Sequence, residues 1–414
     1  MNRRDLLKRI GVFGIGRALL PGLAANLVFA AEEREGRDVL VVVFLRGGAD
    51  ALSLVAPYAE GRHYYDARPR LAVPEPGRPG GGLDLDGRFA LHPALAPLHE
   101  LYREGALALV HAAGSPHDTR SHFDAMQYME FGVPGNKTVR TGWLGRHLAL
   151  TARAAGGSPF RAVGMGDVVA DALRGPVTPL ALRSIAAFHL RGRTGDEARL
   201  LGALRTAYVA PAAAGLQPVA RSVWSSLQTM ERVARGPSGR GGYPEGAFGE
   251  GLAQVARLIK ARVGLEVATV DLDGWDTHEE QGTLDGGFAA AAAELAGGLA
   301  AFYADLGPEA RRVTLVAMSE FGRRVEQNAS NGTDHGHGGV LWLLGGGVRG
   351  GRVYGRWPGL APAALDRGDL AVTTDFRDVL AEVVRKRLGN PETDQVFPGH
   401  TPHPLGLIKE DRSA

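Results

Sequence analysis

The chain has no cysteine among its 414 residues. Disulfides, thiolate zinc sites, iron–sulfur clusters, Cys-attached haem, a thiol nucleophile and a lipidated N-terminal cysteine are therefore excluded. Any metal must be held by histidine and carboxylate. After the N-terminal segment no run reaches the roughly 18 apolar residues of a membrane span, so none is expected in the mature chain. Net charge is also scarce, with 47 Lys+Arg against 45 Asp+Glu. Five of the cations (Arg3, Arg4, Lys8, Arg9 and Arg17) stand near the N-terminus against Asp5 alone, which leaves the remainder slightly acidic. Nucleic acid and anionic membrane surfaces call for a clustered excess of Lys and Arg, so neither is an expected partner.

What is present suits a soluble α/β protein rich in loops: 44% hydrophobic and 22% charged residues, with 59 Gly and 24 Pro. Residues 1–31 read as a signal peptide, with a basic start, an apolar middle and small residues around Ala30 and Ala31. Arg3-Arg4-Asp5-Leu6-Leu7-Lys8 resembles the twin-arginine export signal, with an ordinary basic leader as the alternative. The expectation is an exported, periplasmic or extracellular protein, with the twin-arginine machinery as its first partner.

Residues 39–45 form a continuous β-branched run suited to a parallel strand buried on both faces. Similar short runs occur at 106–111, 266–270, 313–318 and 340–344. Helical spacing is clearest at 93–103, 121–130, 222–234, 248–263, 288–306 and 375–388, the last with Asp375 as N-cap. Strands alternating with helices predict a largely parallel sheet. Residues 32–414 are expected to form one domain, with a cap-like insertion near 154–246.

Ligands in open α/β sheets bind beyond the carboxyl ends of the strands, and the polar clusters fall there. Asp50 closes Arg46-Gly47-Gly48-Ala49-Asp50 after the first run. Arg120, Ser121 and His122 follow the second, Asp276 and His278 the third, and Glu320 and Arg323 the fourth, ahead of Asp334-His335. Asp50, Asp276, His278, Asp334 and His335 can together supply the imidazole and carboxylate ligands of a divalent cation. Each Asp/His pair alone more often marks a turn. Ser121 reads either as the N-cap of a helix or as a nucleophile placed among free amides. Arg120 and Arg323 suit an anion clamp or ordinary ion pairs. Glu320 reads as a ligand, a base or a buried partner of arginine. The glycines at 345–351 lack the Lys-Ser/Thr of a phosphate loop and read as a turn, and His400 as a loop histidine.

In order along the chain, the leader, Arg46-Gly47-Gly48-Ala49-Asp50, Arg120-Ser121-His122-Phe123-Asp124-Ala125, Asp273-Gly274-Trp275-Asp276-Thr277-His278, Ser319-Glu320-Phe321-Gly322-Arg323 and Gly332-Thr333-Asp334-His335-Gly336-His337-Gly338 resemble the bacterial family of domain of unknown function 1501. That family is grouped with the alkaline phosphatase/sulfatase superfamily. The resemblance implies an alkaline phosphatase-like three-layer sandwich with metals at the strand ends. By it, Asp50 matches the first-strand metal ligand, and Ser121, or Thr119, falls in the nucleophile region. Asp276/His278 and Asp334/His335 match the metal pairs. Two departures stand out: Ser319-Glu320-Phe321-Gly322 replaces the superfamily's usual Ser-Asp-His-Gly, and Asp276 and His278 are two apart rather than four. Without cysteine a Cys-derived formylglycine cannot form.

The expected activity is hydrolysis of a phosphate or sulfate ester, a small-molecule substrate, assisted by zinc, manganese, calcium or magnesium. Ser121 would attack, Arg120 or Arg323 would stabilise developing charge, and Glu320 would serve nearby. The alternative is a non-catalytic envelope protein that keeps the fold and binds or assembles with a co-encoded partner.

Overall fold

The computed structural model describes residues 38–151, 158–185, 217–236 and 241–410, together with positions 199, 202 and 206. The leader and much of the expected cap-like insertion lie outside the described residues.

Among the described residues nine strands form one sheet: β1 (Val39–Leu45), β2 (Leu107–Gly114), β3 (Ala162–Met165), β4 (Leu180–Leu182), β5 (Val267–Leu272), β6 (Val313–Ser319), β7 (Gly339–Gly345), β8 (Arg352–Tyr354) and β9 (Thr374–Asp375). Their order is β8–β2–β7–β6–β1–β5–β3–β4, with β9 also paired to β2. β1 lies at the centre, parallel to β5 and β6, which explains why its sequence is apolar on both faces. β7 runs antiparallel to both its neighbours, and the other pairings are parallel.

Helices cover both faces, giving the three layers expected. Val39, Val41, Val43 and Leu45 share a core with α1 (Ala96–Arg103), α5 (Ala247–Lys260) and α6 (Gly286–Leu306). Leu40, Val42 and Phe44 share the other with α2 (His122–Phe131), α3 (Trp143–Leu150) and α7 (Phe376–Lys386). A further helix, α4 (Gln217–Arg235), buries Met230 and Val233 in the first core. Helix α6 is long and apolar enough to pass for a membrane span, a feature its many alanines and glycines hide from a search for bulky apolar runs. Its Phe288, Leu295, Leu299 and Phe302 are nevertheless buried in the core of the domain.

The six expected helices and five expected strands form within a few residues of their expected limits. One expectation is corrected. Residues 162–165 and 180–182, assigned to a cap-like insertion, are β3 and β4, which extend the sheet beyond β5. They are three or four residues long, and β3 contains Gly164, so the chain carries too little apolar pattern there to announce strands.

Because β1, β2, β5 and β6 are mutually parallel and β7 enters in the reverse sense, five chain segments meet at one edge. These are the turns after β1, β5 and β6, the start of α2 after β2, and the approach to β7.

Candidate metal centre

Three ligand atoms, from His122, Asp276 and His335, converge at that edge, and a fourth, from His278, lies beside the last two. His335 Nε2 lies 2.9 Å from His122 Nε2 and 2.9 Å from His278 Nε2. Asp276 Oδ1 lies 3.1 Å from His278 Nε2, 3.3 Å from His335 Nε2 and 3.5 Å from His122 Nε2. Metal–nitrogen bonds of about 2.0–2.1 Å in a tetrahedral site place neighbouring ligands roughly 3.3 Å apart. The separations among His122, Asp276 and His335, and those from His278 to Asp276 and His335, bracket that value. Among the described residues, His122, Asp276 and His335 form the one group of three or more His, Asp or Glu ligands gathered closely enough for a metal, and His278, in reach of Asp276 and His335, stands beside that group rather than within it.

The other ring nitrogens say what this convergence means. His122 Nδ1 faces Glu320 Oε1 at 2.8 Å, His278 Nδ1 faces Asp334 Oδ1 at 3.1 Å, and His335 Nδ1 faces the carbonyl of Arg120 at 2.8 Å. All three partners are acceptors, so in the neutral imidazoles each Nδ1 carries the proton and each Nε2 keeps its lone pair. Unprotonated nitrogens and a carboxylate oxygen this close to one another repel, and a cation held among them would relieve that repulsion. Partners of this kind on the outer nitrogen are what orient metal-binding imidazoles.

The supporting structure is built from close backbone approach. Gly47 and Gly48 have φ of +117° and +69°, and side chains there would run into the Asp276 amide and the Phe321 ring. The space is filled by Arg323, a buried guanidinium. It donates to the carbonyls of Gly47, Gly48, Trp275 and Thr333 and, at 2.6 Å, to Asp276 Oδ1. Phe321 stacks within 4.8 Å of both His122 and His335 and walls off one side. The opposite side is open, and the Asp276 side chain is 48% exposed.

Charge is set by these contacts. Burial alone would raise Asp276, but the Arg323 hydrogen bond and charge outweigh it and hold the carboxyl below its usual range. Glu320 is likewise held low, because its bonds from His122 and the Gly47 and Gly48 amides overcome burial. The Glu320 hydrogen bond raises His122, whereas burial lowers His335. Hydrogen bonding from Asn328, opposed by burial and helped by His278, keeps Asp334 low.

The structure thus brings together Asp276, His278 and His335 with His122, which the sequence reading passed over for its neighbour Ser121. A signal was available: a histidine at the first turn of a helix that starts where three other Asp/His loops end. Asp334 and Glu320 stand behind His278 and His122 as their proton acceptors. Asp50 is set apart, a correction to its assignment as a ligand. It is fully buried, and its two oxygens take hydrogen bonds from Arg68, Ser53, Gln281 and the Leu52 amide. A carboxylate so saturated has no lone pair to give a cation. Arg68 had no signal in sequence, since its charge becomes informative once it is seen to be buried.

The anion clamp takes a different form as well. Arg323 is spent on the loops, and Arg120 donates to the buried Asp369 at 2.5 Å while its own carbonyl orients His335. Ser121 is exposed and caps α2, its Oγ accepting from the Asp124 amide at 3.5 Å.

A comparison with curated proteins gives no match. Among solved structures, the C-terminal periplasmic domain of EcEptC from Escherichia coli is 10% identical, with 91% of each chain covered and a TM-score of 0.38. The zinc complex of that domain is 11% identical, with 94% of this chain and 95% of that one covered and a TM-score of 0.37. A protein of the alkaline phosphatase superfamily from Vibrio parahaemolyticus is 11% identical, with 84% and 70% covered and a TM-score of 0.31. Likenesses this distant say nothing of the reaction. The model of the family described as protein of unknown function (DUF1501) matches residues 105–406, a span that holds all four converging ligands and both carboxylates behind them, and the chain belongs to that family.

Proposed function

We propose that the chain is an exported, metal-dependent hydrolase of phosphate or sulfate esters whose cation is held by His122, His278, His335 and Asp276. The observation that carries this reading is the convergence of three imidazole lone pairs and one carboxylate oxygen, each imidazole oriented by an acceptor behind it. Three nitrogens and one oxygen favour zinc over calcium or magnesium, which take oxygen ligands. A divalent cation in this seat supplies Lewis acidity toward an ester oxygen.

The chain's own residues prepare that seat. Glu320, Asp334 and the Arg120 carbonyl keep the ring protons on Nδ1, and Arg323 holds Asp276 ionised. Phe321 closes one side to water, which leaves the open side for substrate. Ser121, exposed and next to a ligand at the start of α2, is the hydroxyl this reading takes as the nucleophile.

The test is elemental analysis of the mature protein, purified without added metal, followed by a panel of phosphate and sulfate esters. About one equivalent of metal with ester turnover, both lost in His278→Ala and His335→Ala, supports the reading. Unchanged metal and turnover in those variants overturns it. Export to the periplasm or beyond by the twin-arginine machinery is part of the same proposal, and Arg3→Lys with Arg4→Lys should hold the chain in the cytoplasm.

One observation favours a second reading, a non-catalytic envelope protein that binds or assembles with a co-encoded partner. The arginines that would meet an anion are occupied: Arg323 wholly, Arg120 by Asp369. Stoichiometric metal with no turnover on any ester would select that reading.

A further inference from the structure

Behind the metal loops lies a polar chain that the ligands themselves do not explain. Arg68 and Asp50 form a buried ion pair, with Nη1 to Oδ2 at 2.5 Å and Nη2 to Oδ1 at 3.0 Å, and both side chains are inaccessible to solvent. Gln281, also buried, donates from Nε2 to Asp50 Oδ2 at 2.8 Å. Its Oε1 accepts from Thr277 Oγ1 at 2.8 Å and from Thr333 Oγ1 at 2.7 Å. Thr277 sits between the ligands Asp276 and His278, and Thr333 stands two residues before His335. The two loops are also joined directly, by Thr333 N to Thr277 O at 3.0 Å and Gln281 N to Asn331 O at 2.9 Å.

We infer that Gln281 is a positioning residue for the metal centre: with Asp50 and Arg68 behind it, it sets the spacing of the two loops through the Thr277 and Thr333 hydroxyls. This rests on the metal reading above and goes beyond it. Three physical points support it. A buried ion pair with an amide attached is a poor way to gain stability, since well-packed apolar side chains of similar volume commonly do as well or better. What such a network does supply is direction, because each hydrogen bond fixes a distance and an angle where apolar contact allows sliding. The amide also has one workable orientation: Asp50 accepts only, so Nε2 must face it, and Oε1 must then face both hydroxyls. Threonine is stiff about its first side-chain torsion, so fixing Oγ1 fixes the backbone beside each ligand. Arg68 extends the same hold to the Glu320–Arg323 turn by donating to the carbonyls of Arg324 at 2.7 Å and Val325 at 2.8 Å.

The experiment uses the full chain and two probes, cobalt(II) and zinc. Thr277→Val with Thr333→Val removes both hydroxyls and keeps the branched shape. The expected result is a loss of metal affinity of about 10–100-fold, measured by chelator competition, with a shift in the position or intensity of the visible cobalt bands. Thr277→Ser with Thr333→Ser keeps the hydroxyls and should restore both. Wild-type affinity and cobalt bands in the valine pair overturn the inference, as does lowered thermal stability with an unchanged cobalt spectrum. Should the valine pair fail to fold, Gln281→Met and the single Thr333→Val are read in the same way. Wild-type protein that takes up neither probe brings down the metal reading itself, which is a different failure.

Discussion

Asp50 and Asp276 begin alike: each follows a central parallel strand and a glycine-containing turn at the carboxyl edge of the sheet. Their surroundings make them opposites. Asp50 is sealed from water and meets a guanidinium, a hydroxyl, an amide side chain and a backbone N–H. Burial would raise its carboxyl, yet the Arg68 charge and these donors outweigh burial and hold it low. Asp276 is half exposed and has one strong partner, Arg323, and its Oδ1 faces the Nε2 atoms of three histidines, which offer lone pairs when the rings are neutral. A carboxylate satisfied by donors belongs to the framework. One set among imidazole nitrogens suits the proposed cation.

The contrast is broken most severely by removing a ligand. His335→Ala should take bound metal from about one equivalent per chain to near zero while the chain stays folded, which elemental analysis and circular dichroism together check. Removing the matched carboxylate should act first on folding. Asp50→Ala leaves the Arg68 charge buried and unpaired, at a cost of about 3–5 kcal/mol of folding stability in denaturant titration.

A second matched carboxylate sharpens the framework side through pH. Glu266 is buried beside His147 and Arg161, and although burial would raise it, their hydrogen bonds and the charges bring it down to about 2. Its folded value lies below the ordinary 4.5, so its contribution is complete above pH 4.5 and is lost as pH falls toward 2. Thermal unfolding of Glu266→Gln should therefore depend less steeply on pH across that window than unfolding of wild type. On the metal side, Asp334→Ala removes an acceptor rather than a ligand. Metal affinity should fall by about 10–100-fold, read by chelator competition. The smallest effect is expected at Ser121→Ala, which removes a helix cap worth about 1 kcal/mol and should leave metal content unchanged. A loss of ester turnover in this variant out of proportion to the stability change would mark the hydroxyl as the nucleophile.

The parallel sheet was legible because β1 is a continuous apolar run of seven residues and β2 and β6 are mostly apolar over similar lengths, a pattern with few other uses. Strands β3 and β4 were not, being too short to carry a period. At the site, Asp276, His278 and His335 stood out as paired Asp/His motifs. His122 was overshadowed by the capping serine before it, and the Asp50 assignment failed because nothing near Asp50 in sequence shows that Arg68, 18 residues on, will face it.

The sequence by itself determined which chemistry was available. The absence of cysteine restricted any metal to imidazole and carboxylate, and the alternation of strands and helices placed those residue types at one sheet edge. Only the tertiary structure decided which of them meet. Two nitrogens 2.9 Å apart on segments more than 200 residues apart, His122 and His335, follow from strand order. Whether a carboxylate meets a donor or a lone pair depends on that same order, because strand order sets which loops face one another and local sequence does not encode it.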